Sequence, residues 1–309
     1  MSDGKGMPSA VSQPERHAGP ADFFVRLWRE KPLGIVSGFI VLILIVVAIF
    51  ADVLAPYPYW EVHQLDRLQG TSAQYLLGTD QLGRDLLSRL IHGARLSLAV
   101  GLAATALNVV VAVMIGGTSG YLGGKVDLVA QRVVDAWMAF PGLLLLLTIM
   151  SIAGRGLLQI ILVLGISGGI GGSRIMRSAV IGVKENAYFQ MAEAIGNTRW
   201  RILIRHVLPN IAPPVIIIFS INIGAVIMSE ASLSFLGFGL PSQVPSWGGM
   251  LSREGRLYME MAPRLALWPG FCLTITVYSL NMFGDAMRDL LDPRLRGGGS
   301  LGAGAAGSV

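Results

Sequence analysis

The chain has 309 residues, of which 53% are hydrophobic and only 14% charged, with a formal net charge of +5 and a mean hydropathy of +0.60. A soluble domain carries about 25% charged residues, so this composition excludes a water-soluble enzyme. The apolar runs are continuous rather than alternating, which selects membrane-crossing helices of about 20 residues over barrel strands of about 9–11.

Residues 1–31 form a polar tail rich in Gly, Pro and Ser and are expected to be disordered. The tail does not read as a secretory signal, because the apolar run behind it is too long and leads into Asp52 and Pro56 without a small-residue cleavage site. Six stretches are apolar enough to cross a bilayer: 33–51, 96–122, 136–154, 156–173, 207–229 and 266–284. Only Arg155 separates the third from the fourth, so these two are expected to form a tight hairpin. With the amino terminus inside, Lys and Arg fall about two to one on the cytoplasmic side, so both termini are expected in the cytoplasm. The basic balance is therefore a topology signal, not a nucleic-acid footprint. The chain divides into the tail, a segment 32–95 with the first span and an outer region, and a core 96–292. The core carries a cytoplasmic loop at 184–209, and a flexible Gly-rich tail follows at 293–309.

Several chemistries are excluded in turn. Cys272 lies alone in an apolar run, and His17, His63, His92 and His206 have no ligand spacing, so no metal site and no cofactor of the chain's own is expected. The string Gly165-Ile166-Ser167-Gly168-Gly169 fits a nucleophile elbow in letters only; in an apolar helix its small residues read as close helix packing. No Walker A loop is present: around Lys125 the string from Ser119 to Val126 fails at its first and last positions. Asp135 and Glu230 lie near span ends and the span centres are bare of charge, against an ion-coupled transporter.

The informative segment is KENAYFQMAEAIGNTRWRILIR, from Lys184 to Arg205. It reads as a short amphipathic helix, a left-handed cap at Gly196, and a second helix ending at Pro209. It would present Tyr188, Phe189, Met191, Ile195 and Trp200 either to lipid headgroups or to a partner.

Gln190-Met191-Ala192, three residues, Gly196, nine residues and His206-Val207-Leu208-Pro209 resemble the coupling loop of ATP-binding-cassette (ABC) importer permeases, with Gln190, Met191 and His206 departing from the family form. The segment from Leu77 to Arg89, Asp135 to Pro141 with its Ala139-Phe140-Pro141 end, Glu230 to Gly237 with Ser246-Trp247-Gly248, and Gly284 to Arg294 resemble further elements of the dipeptide/oligopeptide/nickel family, in its DppC/OppC-like subunit. In place of a usual Trp the chain has Gly169, followed by Gly171 and Gly172; this Gly-rich span either lets a neighbouring helix approach closely or is loosened.

The resemblance implies an all-α, six-helix type I importer permease (MetI-like) fold, a non-catalytic inner-membrane subunit importing di- or oligopeptides by alternating access, or alternatively nickel, glutathione or an opine-like cargo. Its implied partners are a second homologous permease, two ATP-binding subunits that bind Mg-ATP, an extracytoplasmic peptide-binding protein, and membrane lipid. Gln190, Met191, Ala192, Gly196, Leu208 and Pro209 would form the ATPase-coupling loop, with Ala192 in the ATPase cleft and Gly196 at the turn. Phe140, Pro141 and Glu230 are candidates for the translocation path or an outer gate. Glu230 either meets a cargo amine, pairs with Arg253 or Arg256, or bonds backbone. Asp80, Arg84, Asp85 and Trp247 are candidates for binding-protein contact; the first three alternatively form a local ion-pair cluster.

Overall fold

The computed structural model describes residues 31–241 and 243–291; the expected tails lie outside these, apart from Lys31. Five continuous helices are long and apolar enough to cross a membrane, and a sixth span is broken into two pieces. They are α1 (Pro32–Ile49), α2 (Leu86–Leu122), the broken pair α3 (Gly124–Met138) and α4 (Gly142–Ala153), α5 (Leu157–Lys184), α7 (Ala212–Phe235) and α8 (Arg264–Leu291). The short α6 (Ala187–Ala194) lies between α5 and α7. No strand occurs among the described residues; an isolated bridge joins Thr79 and Asp85.

α2 sits at the centre, against α1, α5 and α7, and α8 closes the bundle against α7 and α1. The tightest seam is α2 on α5, and glycine makes it. A Cβ at Gly169 would fall 2.5 Å from Val111 Cβ, and one at Gly116 would fall 2.0 Å from the Ser173 carbonyl oxygen. The Gly-rich stretch of α5 therefore buys close approach rather than a loosened span. Gly116 lies in a π turn, Val113–Gly117, where the ladder of α2 is locally unwound against α5.

Several spans run beyond their apolar stretches because tertiary partners satisfy the polar residues at their ends. α2 starts ten residues before the expected 96, capped by Asp85, whose Oδ2 accepts from Ser88 N at 2.8 Å. The division placed at 95/96 thus falls inside α2. Arg89 and His92 are buried there, and His92 and Arg95 reach Asp52 just beyond α1, at 3.3 and 2.9 Å. α5 runs on to Lys184 because Arg177 makes a two-pronged pair with Asp127 of α3 (2.6 and 2.6 Å), and Arg174 pairs with Asp135.

The third span is the largest departure. The sequence reading takes 136–154 as one helix, but the chain turns by 89° between α3 and α4. Pro141 stands at the break, in an extended conformation (ψ 119°) before the first turn of α4. α3 carries Lys125, Asp127, Arg132 and Asp135, so hydropathy alone passes over it as a membrane element.

Candidate functional site

The segment expected to couple is built as a latch on the bundle. α6 buries Phe189, which stands edge-on to Tyr121 with ring centroids 6.3 Å apart and packs with Val180 and Val183 of α5 and with Ile202 and Val207. Ala192 is 5% exposed, so its side chain turns into this chain instead of standing ready for an ATPase cleft. The open face is Gln190, Met191 and Ile195, the last two 60% and 81% exposed. Gly196 adopts φ +84°, and a Cβ there would meet nothing within 4 Å: the position needs glycine for its backbone, not for space. After it, helix Arg199–Ile202 passes through a π turn, Leu203–Val207, into Leu208–Asn210. The helical path thus continues past Pro209, which sits where a new turn has no partner for its N–H. Leu208 and Pro209 are exposed; the side chains of Tyr188 and Trp200 lie outside the described residues.

Lys184, the last residue of α5, ties this latch to α2. Its Nζ donates to the Tyr121 carbonyl at 2.9 Å and lies 5.9 Å from the centre of the Tyr121 ring. The 187–210 segment is thereby joined to the ends of the two helices that form the tightest seam of the bundle.

Those two helices, with the α3–α4 break and α7, border an open cavity of about 380 Å3. Trp137, Met138 and Phe140 line it from the break, Gly142, Leu145 and Leu146 from α4, and Asn108, Ser167, Asn222 and Ser229 supply its polar wall. Phe140 is exposed at its edge, and Pro141 stands at the bend between α3 and α4. Glu230, one residue past Ser229, points the other way. It is 0% exposed and its Oε1 accepts from Ser234 Oγ at 2.7 Å. No ion pair with Arg256 forms, and the Arg253 side chain lies outside the described residues. Among the described residues it is the Ser234 hydroxyl that holds Glu230.

At the opposite end of the bundle the other four candidates are also interior. Asp80, Arg84, Asp85 and Trp247 are all buried. Asp80 Oδ2 accepts from Arg84 Nε at 2.6 Å and lies 3.4 Å from Arg89 Nε, and its Oδ1 accepts from the backbone N–H of Leu82 and Arg84 at 2.8 and 3.0 Å. The local ion-pair cluster is therefore what these residues build, and Asp85 is spent on the α2 cap. Trp247 donates its indole N–H to the Leu90 carbonyl at 3.1 Å, wedging the 247–250 turn against α2. A contact surface at this end must come from exposed neighbours such as Trp60, Leu65 and Leu82.

Residues 108–297 of the 309 match the model of the family described as the binding-protein-dependent transport system inner membrane component. The chain belongs to that family. Residues 22–70 also match the N-terminal transmembrane domain of oligopeptide transport permease C. A dipeptide transport system permease protein DppC from Alkalihalophilus pseudofirmus is 37% identical over 276 residues, covering 87% of this chain and 90% of the relative. A glutathione transport system permease protein GsiD from Pectobacterium atrosepticum is 36% identical over 274 residues (88% and 91%). Among solved structures, an inward-facing form of the MetNI methionine ABC transporter superposes with a TM-score of 0.56 at 16% identity, covering 67% of this chain and 98% of that one. The permease is thus a multi-pass inner-membrane subunit of an ABC importer, DppC/OppC-like, with the MetI-like fold.

Sequence reading singled out the 184–209 segment and the residues of the α3–α4 break, but not the polar wall of the cavity. Asn108 and Asn222 each interrupt an uncharged apolar run, a signal that was available and that marks helix-facing or cavity-facing amides in a membrane. The Lys184–Tyr121 tie carries no motif at all.

Proposed function

We propose that this permease, paired with a second homologous permease and two ATP-binding subunits, moves di- or oligopeptides delivered by an extracytoplasmic binding protein into the cytoplasm by alternating access. In this reading the 187–210 end faces the cytoplasm, as do both termini, and the ATPases dock on the open face of α6 and bind Mg-ATP themselves. The observation that carries it is the mechanical path: α6 is packed on α5 and tied through Lys184 to the end of α2, and α2 and α5 both line the cavity. A displacement of α6 by closing ATPases therefore reaches the cavity wall through packed side chains rather than a loose loop. The dipeptide and glutathione names of the relatives support a short peptide as cargo; glutathione, itself a tripeptide, fits them equally.

The test is to purify the tagged chain from native membranes in mild detergent and assay ATP-driven uptake after reconstitution. A second permease and two ATPases are expected to co-elute. Gly196→Asp strains a backbone at φ +84°, at a cost of about 1–3 kcal/mol, and adds a carboxylate to the docking surface. It is expected to assemble in the membrane and lose ATP-driven uptake. Uptake by the chain alone without ATP, or wild-type uptake by the variant, overturns the reading.

A further inference from the structure

One member of the cavity's polar wall is a buried carboxamide with an unsatisfied oxygen. Asn108 of α2 is 4% exposed, and its Oδ1 has no hydrogen-bond partner. An unsatisfied buried polar atom costs about 1–3 kcal/mol, so a well-packed seam would not hold a carboxamide here for packing alone. The seam is nonetheless cut to fit it. A Cβ at Gly168 would lie 2.2 Å from Asn108 Nδ2, and one at Gly172 would lie 3.5 Å from Oδ1, so glycines of α5 leave the room in which the amide sits. The start of α4 lines the same cavity. Pro141 O accepts from Leu145 N at 3.0 Å, and the N–H groups of the first turn, beginning at Gly142, have no partner within the helix. No ionisable side chain lines the cavity.

From this we infer that the cavity holds cargo by its backbone: the Asn108 carboxamide pairs with a peptide group of the cargo, while the first turn of α4 offers N–H groups to a cargo carbonyl or carboxylate. A carboxamide carries a donor and an acceptor side by side, and so does a peptide group, so the two match whichever way the amide is turned. A wall without charge reads nothing of the cargo's side-chain charge, and selection by residue type is left to other parts of the transporter. The cavity's size lies in the range of about 300–1,000 Å3 common for small-ligand sites. The inference rests on the peptide reading above, and its test separates the two.

The whole transporter, reconstituted with its binding protein at saturating concentration, is assayed for ATP-driven uptake of trialanine and of trialanine methylated on its backbone nitrogens. The wild type is expected to favour the unmethylated peptide. Asn108→Leu is near-isosteric and removes an unsatisfied polar atom, so it is expected to assemble at least as well as the wild type. It should lower trialanine uptake about tenfold, the worth of one hydrogen bond, and erase the preference over the methylated peptide, with ATP hydrolysis retained. Gly168→Ala keeps the amide but drives it from its seat, and should move both readouts in the same direction. Asn108→Leu with wild-type uptake and wild-type preference overturns the inference while peptide import stands. A wild type that takes up neither peptide in response to ATP overturns the peptide reading, and the inference with it.

Discussion

At the scale of single residues, burial separates roles that look alike in the sequence. Glu230 is the only carboxylate on α7, and a lone acid near a span end invites a cargo-binding role. Its side chain is fully buried beside Ser234 and lies off the cavity lining. Glu230→Gln keeps the shape and an acceptor for the Ser234 hydroxyl, so the ratio of charged to neutral peptide uptake is expected to stay at its wild-type value. A shift of that ratio in a competition assay would place the carboxylate on the path after all. Ala192 and Met191 make the same point on the coupling segment: adjacent in sequence, one is turned into the bundle and the other out of it. Of the two, only Met191 is open to a partner in the reading proposed above.

At the scale of elements, the break in the third span supplies part of the cavity's lining, and ion pairs to α5 hold α3 in place. Asp127 and Arg177 form a two-pronged pair between α3 and α5, both partly buried, and Arg174 reaches Asp135 one turn further along. Asp127→Ala leaves Arg177 without this partner and is expected to destabilise the α3–α5 packing by about 1–2 kcal/mol, discounted for its partial exposure. Exchanging the two residues (Asp127→Arg with Arg177→Asp) should recover part of that loss, since the pairing is restored with its polarity reversed. Thermal midpoints of the purified transporter read both effects, and a double variant no better than the single one would remove the pair from the account.

For the whole molecule, stability is concentrated where α2 and α5 approach at backbone distance. Gly116→Ala would set a Cβ 2.0 Å from the Ser173 carbonyl oxygen and 2.8 Å from Arg177 N, both backbone atoms that cannot swing aside. The helices must separate, at a cost of about 1–3 kcal/mol, so a marked loss of assembled transporter is expected. Gly182→Ala, on α5, meets nothing within 4 Å and should stay within about 0.5 kcal/mol of wild type. Equal yields for the two variants in a membrane-extraction assay would contradict a close-packed seam.

The sequence by itself determined that the chain is an all-helical membrane protein with several apolar spans, and which family the permease belongs to. Those features are carried by local runs of apolar residues and by short motifs whose residues are neighbours in the chain. Gly196 was legible for the same reason: a left-handed turn is a property of one backbone position. What only the tertiary structure decided is which polar groups are free to act. Arg89 and Asp80 are buried because they meet each other, α5 extends because α3 supplies carboxylates, and Phe140 and Asn108 line one cavity because the chain turns at Pro141. The partner that satisfies a polar group, or leaves it unsatisfied, comes from a distant part of the chain, and no local pattern of hydropathy records it.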